Sequence, residues 1–242
     1  MLFHKKGIVI VVLVLVLALV SLLYARGGIT GAIVGTESLS LNNIALTTCG
    51  DLNATSTTYE LQNYVVSTNY ACFNIKNSSI VLDCHGFNIT FGGGAASVGV
   101  NNSGGYNNIT VKNCVLSVSC DGCDTSGFWG IDYQNSSNGT ITNNTIKMLF
   151  ISARGISLRN SSNNLVSYNN ISSRRNSDFG IYLVNSSTAN ILVNNTIGMG
   201  SGVTGVGAFS IFDYSLGQNV LIYNNSFGSI SWNKTNLTIN FS

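Results

Sequence analysis

Asp83, Cys84 and His85 stand together in the string LDCHG. A carboxylate, a thiol and an imidazole in three consecutive residues are the parts of an activated nucleophile. Their spacing works against that use. Neighbouring side chains on an extended strand point to opposite faces, so Asp83 and His85 share one side and Cys84 takes the other. Gly86 then offers a turn, and the segment reads as a strand end with Cys84 buried. Cys120-Asp-Gly-Cys123 has the spacing of a metal or redox pair. A closed zinc site needs four ligands, no second C-x-x-C follows, and His85 is the single His after the N-terminal segment. No metal and no other cofactor is expected. Sugar chemistry is suggested by a third pattern. N-x-[ST] triplets recur along the chain, and NSSNGTITNNTI (residues 135–146) contains three of them.

These residues sit in a chain of 242 residues, 45% hydrophobic and 8% charged, with 26 Gly and no Pro. That is too apolar for a disordered chain and too poor in charge for an ordinary cytosolic domain. The N-terminus accounts for part of the hydrophobicity. His4, Lys5 and Lys6 precede an uncharged run from Gly7 to Ala25, whose length nearly matches the hydrocarbon core of a bilayer. Leu23-Tyr24-Ala25 puts Leu where a cleavage site prefers a small residue, which favours an uncleaved anchor over a secreted product of signal-peptide cleavage. Two Lys before the run and Arg26 after it place the N-terminus in the cytoplasm and the rest outside the cell membrane. The expected organisation is a tail and transmembrane anchor over 1–26, a linker over 27–44 and one domain over 45–242. Removing Lys5, Lys6 and Arg26 leaves eight basic residues against nine acidic ones, so no basic patch supports nucleic-acid binding. The six Cys (Cys49, Cys72, Cys84, Cys114, Cys120 and Cys123) fit a disulfide-forming compartment.

The exported part repeats. Gly130-Ile131, Gly155-Ile156 and Gly180-Ile181 open three copies spaced 25 residues apart, and Asn-Ser-Ser recurs at 135, 160 and 185. Each triplet is followed by a short strand, an Asn-containing turn and another apolar residue: TITNNTI, LVSYNNI and ILVNNTI. A fourth copy runs from Ser210-Ile211 to Phe227, and looser ones occur at 79–89 and 108–116. Within a copy apolar and polar residues alternate, the half-buried strand pattern, and the Asn, Ser and Gly between them accept turn geometry. One such unit cannot bury its apolar face alone, whereas stacked units share a continuous core. In this register Asn144, Asn169, Asn195 and Asn225 fall on one inward column, where amides can bond from rung to rung. Asn143, Asn194 and Asn224 then face solvent. With Asn135, Asn160 and Asn185, they are the candidates for glycosylation. Cys84 and Cys114 fall at similar positions on neighbouring rungs, about 4.8 Å apart, which is within disulfide reach. Cys49 with Cys72 and Cys120 with Cys123 complete the expected set.

The GI-x-L…NSS-x-x-x-I-x-x-N-x-I units resemble the repeats of right-handed parallel β-helix proteins of the pectate-lyase-like fold, over residues 45–241. The stretch from Cys49 to Ile89 is similar to the N-terminal part of exported archaeal members. The resemblance implies an all-β solenoid of about 25-residue coils behind the N-terminal helix. It also implies that any site lies on the outer face of one sheet, where Asp residues hold Ca²⁺ and a Lys or Arg abstracts a proton. The outward positions are Asp132 and Gln134, Ser157 and Arg159, and Tyr182 and Val184, with Asp213 near the next rung. Asp132, Arg159 and Tyr182 are then the catalytic candidates, and Trp129 is a candidate sugar-stacking platform.

That chemistry is incomplete. Ca²⁺ takes six to eight oxygen ligands, and one acid stands among the six outward positions. A glycosidase needs two carboxyls about 5 to 10 Å apart, but Asp132 and Asp213 would be three rungs apart, roughly 14 Å. The expectation is a membrane-anchored, non-enzymatic surface protein that is structural or binds glycans or other envelope components. A lyase, hydrolase or epimerase acting on polysaccharide is the alternative.

Overall fold

The computed structural model describes residues 42–92, 97–118, 127–148, 153–173, 178–199, 209–215, 220–227, 230–232 and 238–240. The expected anchor over 1–26 and Cys120 and Cys123 lie outside the described residues. So does the expected linker up to residue 41; its last three residues open the first described strand, Asn42–Leu46. Among the described residues there is no helix.

The strands form three parallel sheets of nine, seven and eight strands, visited in turn by successive segments. Every pairing between neighbouring rungs is parallel, as in Trp129–Ile131 against Arg154–Ile156 and then Phe179–Ile181. This is a parallel β-solenoid. The Gly-Ile copies expected from the sequence stack in register: Ile131 pairs with Ile156, Ile156 with Ile181 and Ile181 with Ile211.

The alternating pattern explains the core. On the eight-stranded sheet Phe73, Val100, Ile131, Ile156, Ile181 and Ile211 form one inward column. On the nine-stranded sheet Leu82, Val111, Ile141, Val166 and Leu192 do the same. Ile89, Leu116, Ile146, Ile171 and Ile197 line the seven-stranded sheet. These side chains are buried. Because the three inner faces converge, each coil's apolar residues meet those of the other two sheets and of the rungs on either side.

Two local devices set the register. A Cβ on Gly155 would lie 2.6 Å from the Gly180 carbonyl oxygen and 2.7 Å from Ile171 Cγ2, so Gly155 points inward as Ile156 does. Two successive inward residues break the simple alternation and turn Arg154 outward. The second device is left-handed backbone at the turns. Asn135, Asn143, Asn160, Asn185, Asn194 and Asn224 have φ between 50° and 59°, a region that Asn tolerates better than other non-Gly residues. The same Asn that begin glycosylation triplets are therefore needed by the backbone.

Two disulfides link neighbouring rungs, Cys49–Cys72 and Cys84–Cys114, each with Cα atoms 4.7 Å apart. Both are pairings expected from the sequence, Cys84–Cys114 from its register, and they point to an oxidising, extracellular environment.

Candidate functional site

The interior turn column and the outer face of the eight-stranded sheet hold the chemistry-bearing residues. In the interior column Asn144, Asn169 and Asn195 are buried and Asn225 is half-buried. The Asn169 Oδ1 accepts from the Asn144 backbone N–H (3.1 Å) and from its Nδ2 (3.0 Å). Asn195 does the same for Asn169, and Asn225 for Asn195. Each Nδ2 also donates to a strand carbonyl of another coil: Val111, Ile141, Val166 and Leu192 in turn. A second amide column, Asn164 on Asn190, and a hydroxyl column, Ser136 on Ser161 on Ser187, follow the same rule. All these groups are consumed by the fold, so none is presented to a ligand.

The outer face differs. Asp132 is fully buried beneath its neighbours, and the Arg159 fork grips it from both sides: Nη2 to Oδ2 at 2.6 Å and Nε to Oδ1 at 3.2 Å. Arg159 Nη2 also donates to the Gln134 Oε1 at 3.1 Å. The bidentate pair occupies one lone pair on each carboxylate oxygen, and full burial closes the carboxylate to solvent. The catalytic candidates Asp132 and Arg159 thus stand together, as each other's partners.

Trp129 is on this face but is not a bare platform. The guanidinium carbons of Arg159 and Arg154 lie 4.5 and 5.3 Å from its ring centroid. Arg154 also sits 4.1 Å from the Tyr182 ring. Tyr182 stacks on Phe212 at 5.3 Å, and Phe212 on Tyr214 at 5.9 Å. A ring, then two cations, then stacked rings therefore follow one another across four neighbouring strands. Cation–π contacts of this kind contribute about 0.5 to 2 kcal/mol each.

Arg154 and Tyr70 are among the members of the face missed in the sequence. Arg154 was hidden by the inward Gly155, because strict alternation from Ser157 and Arg159 assigns position 155, not 154, to the outside. Tyr70 comes from a turn two rungs away and carries no repeat signature. It stands close enough to feel both charges. Burial pushes its hydroxyl above the usual tyrosine range, the Asp132 charge adds to that, and Arg159 pulls the other way. Arg154 shifts downward, chiefly because it is buried and secondarily because Arg159 is near, with Tyr182 and Asp132 opposing.

The other acids do not complete an acid pair here. Asp213, expected near the next rung of the outward positions, pairs in register with Leu183 and is buried on the inner side of the sheet. Asp178 is buried as well, where it accepts from the Ala153 backbone N–H at 2.8 Å and from the Ser173 hydroxyl. Among the described residues no group of His, Cys, Asp and Glu is arranged to hold a metal ion.

LDCHG resolves as a structural end. Cys84 is buried in its disulfide, and His85 (φ 48°) and Gly86 (φ 84°) make the turn. Asp83 accepts from Asn113 (2.8 Å) and from the His85 backbone N–H (3.0 Å), and pairs with Lys112 at 3.0 Å. Burial pushes its carboxyl up, but those hydrogen bonds and the Lys112 charge outweigh burial and hold it below the ordinary range. The His85 side chain, half exposed, lies 3.8 Å from Asp83 and 4.0 Å from Glu60.

At the outer turns Asn135, Asn143, Asn160, Asn185 and Asn224 are exposed and Asn194 is half-buried. The Asn160 Nδ2 donates to the Asn135 Oδ1 at 2.5 Å, and the Asn143 Nδ2 to the Asn113 Oδ1 at 2.7 Å.

No family model matches the chain, and no curated protein and no solved structure is significantly similar to it.

Proposed function

We propose that this is a non-enzymatic extracellular β-helix that binds glycans along the outer face of its eight-stranded sheet. One observation carries the reading: Asp132, the acid at the centre of that face, is spent on Arg159. Proton abstraction and metal-assisted cleavage both need a carboxylate that is free, and glycoside hydrolysis needs two. What remains is rings and hydrogen-bond donors, the equipment of recognition. Tyr70 and Tyr214, each more than half exposed, flank the face five strand steps apart, roughly 24 Å at the spacing of parallel rungs. A linear polymer lying across the strands would span them.

The winding is right-handed by the chirality rule for parallel crossovers. The apolar run from Gly7 to Ala25 anchors the domain to the cell membrane from outside, and exposed turn Asn such as Asn135 carry glycan of their own.

The test is a glycan array and a polysaccharide-turnover screen on the full chain. The reading expects saturable binding and no products. Cleavage of any polymer that is lost in Asp132→Asn would replace it with the enzymatic alternative.

A further inference from the structure

Among the described residues Arg154 is a cation without a counter-ion. The strand Arg154–Arg159 presents two guanidinium groups on the outer face, and Asp132, the acid they share, is taken by Arg159. Among the described residues no carboxylate pairs with Arg154. Its Nε is buried without a hydrogen-bond partner, while the Trp129 and Tyr182 rings hold the group from the sides. Ser157 lies on the same strand, between the two Arg and in register with Asp132 and Tyr182. It is fully buried, and its Oγ also lacks a partner.

Buried polar groups in native proteins are paired in the great majority of cases, and a desolvated cation without an anion is costlier still. Ring faces compensate an arginine only in part. Here an unpaired guanidinium Nε and an unpaired hydroxyl belong to one strand, three residues apart, on a patch whose two positive charges meet one negative charge. An oxyanion satisfies both donors and neutralises the patch.

We propose that Arg154 and Ser157 form a subsite for an oxyanion substituent, carboxylate or sulfate, on the glycan bound along this face. The proposal rests on the glycan-binding reading above and adds charge selection to it. Arg159 is not part of the subsite, because its fork is already filled.

The experiment is calorimetric titration of the full chain with four probes: a hyaluronan oligosaccharide (carboxylate alone), a carrageenan oligosaccharide (sulfate alone), a neutral cello-oligosaccharide and inorganic sulfate. The expected result is that one of the two charged sugars binds about tenfold tighter than the neutral one. Arg154→Gln should erase that preference while leaving neutral binding in place, and Arg154→Lys should recover part of it. Ser157→Ala should weaken only the charged sugar. Inorganic sulfate should compete with the sulfated sugar if sulfate is the preferred group, and not with the neutral one. Wild-type binding that ignores charge, or an Arg154→Gln variant that loses charged and neutral sugars equally, overturns the subsite but leaves glycan binding standing. Absence of binding to all four overturns both.

Discussion

Along the interior turn column the same residue returns at every rung: Asn144, Asn169, Asn195, Asn225. Along the middle outer column of the eight-stranded sheet it changes at every rung from Asn101 through Asp132, Ser157 and Tyr182 to Phe212. Both columns sit on parallel strands with one spacing, so the backbone does not explain the difference. In the interior each amide is satisfied by an identical neighbour, and a substitution on one rung harms two. On the outer face partners differ in kind: carboxylate to guanidinium, guanidinium to ring, ring to ring. In a solenoid, repetition marks what holds the coils, and departure from repetition marks where the coil does something else.

Breaking the interior column should have the largest effect. Asn169→Leu keeps the γ-branched shape but leaves the Asn144 amide groups and the Ile141 carbonyl unpaired. Two or three orphaned buried groups predict a loss of about 4 kcal/mol, read as a lowered urea midpoint. On the outer face, Arg159→Met strands the Asp132 carboxylate, and the expected loss is about 3 kcal/mol. Restoring neutrality with Asp132→Asn in the same chain should recover most of it. An unchanged midpoint in Arg159→Met would show that the pair is not the keystone of that face.

The Asp83 cluster gives a smaller, pH-dependent effect. Its carboxyl is held below the ordinary range when folded. The stability it contributes is therefore complete above the unfolded Asp value of about 3.9 and is lost as pH falls through the lower folded value. Asp83→Asn should flatten the stability profile below about pH 4 and lower stability by a constant amount above it, neutrality included.

The smallest change should be a gain. Tyr168 occupies the left-handed position (φ 55°) that Asn143 and Asn194 fill on neighbouring rungs, and it is 62% exposed. Tyr168→Asn should stabilise by about 1 kcal/mol. If it instead lowers glycan affinity, the ring at that turn belongs to the binding surface.

The fold was legible because repetition made it so. Gly-Ile and Asn-Ser-Ser at 25-residue intervals set the register, and the register put Asn169 on Asn144 and Cys114 on Cys84. The outer face was legible only where alternation held, at Asp132, Ser157, Arg159 and Tyr182. Arg154 was not, because the inward Gly155 inserts one residue into the period and nothing in a single sequence marks that shift. Tyr70 was not, because its closeness to Asp132 depends on how a turn two rungs earlier projects. Asp213 was expected near the next rung of the outward positions and lies instead in register with Leu183, on the buried side. Even with the residues in hand, the sequence left open that Asp132 and Arg159 neutralise each other, since two groups at the same outward period can equally converge on a ligand.

Trp129 reports directly on whether that face is a binding surface. With Trp232→Phe leaving it as the only tryptophan of the chain, its emission can be followed while the full protein is titrated with the tightest polysaccharide from the array and reducing or unsaturated ends are assayed in the same samples. The account predicts a saturable change in Trp129 emission, weakened by Arg154→Gln, with no new ends formed. A flat emission curve under conditions where polymer is bound, or new ends appearing in step with the change, would contradict it.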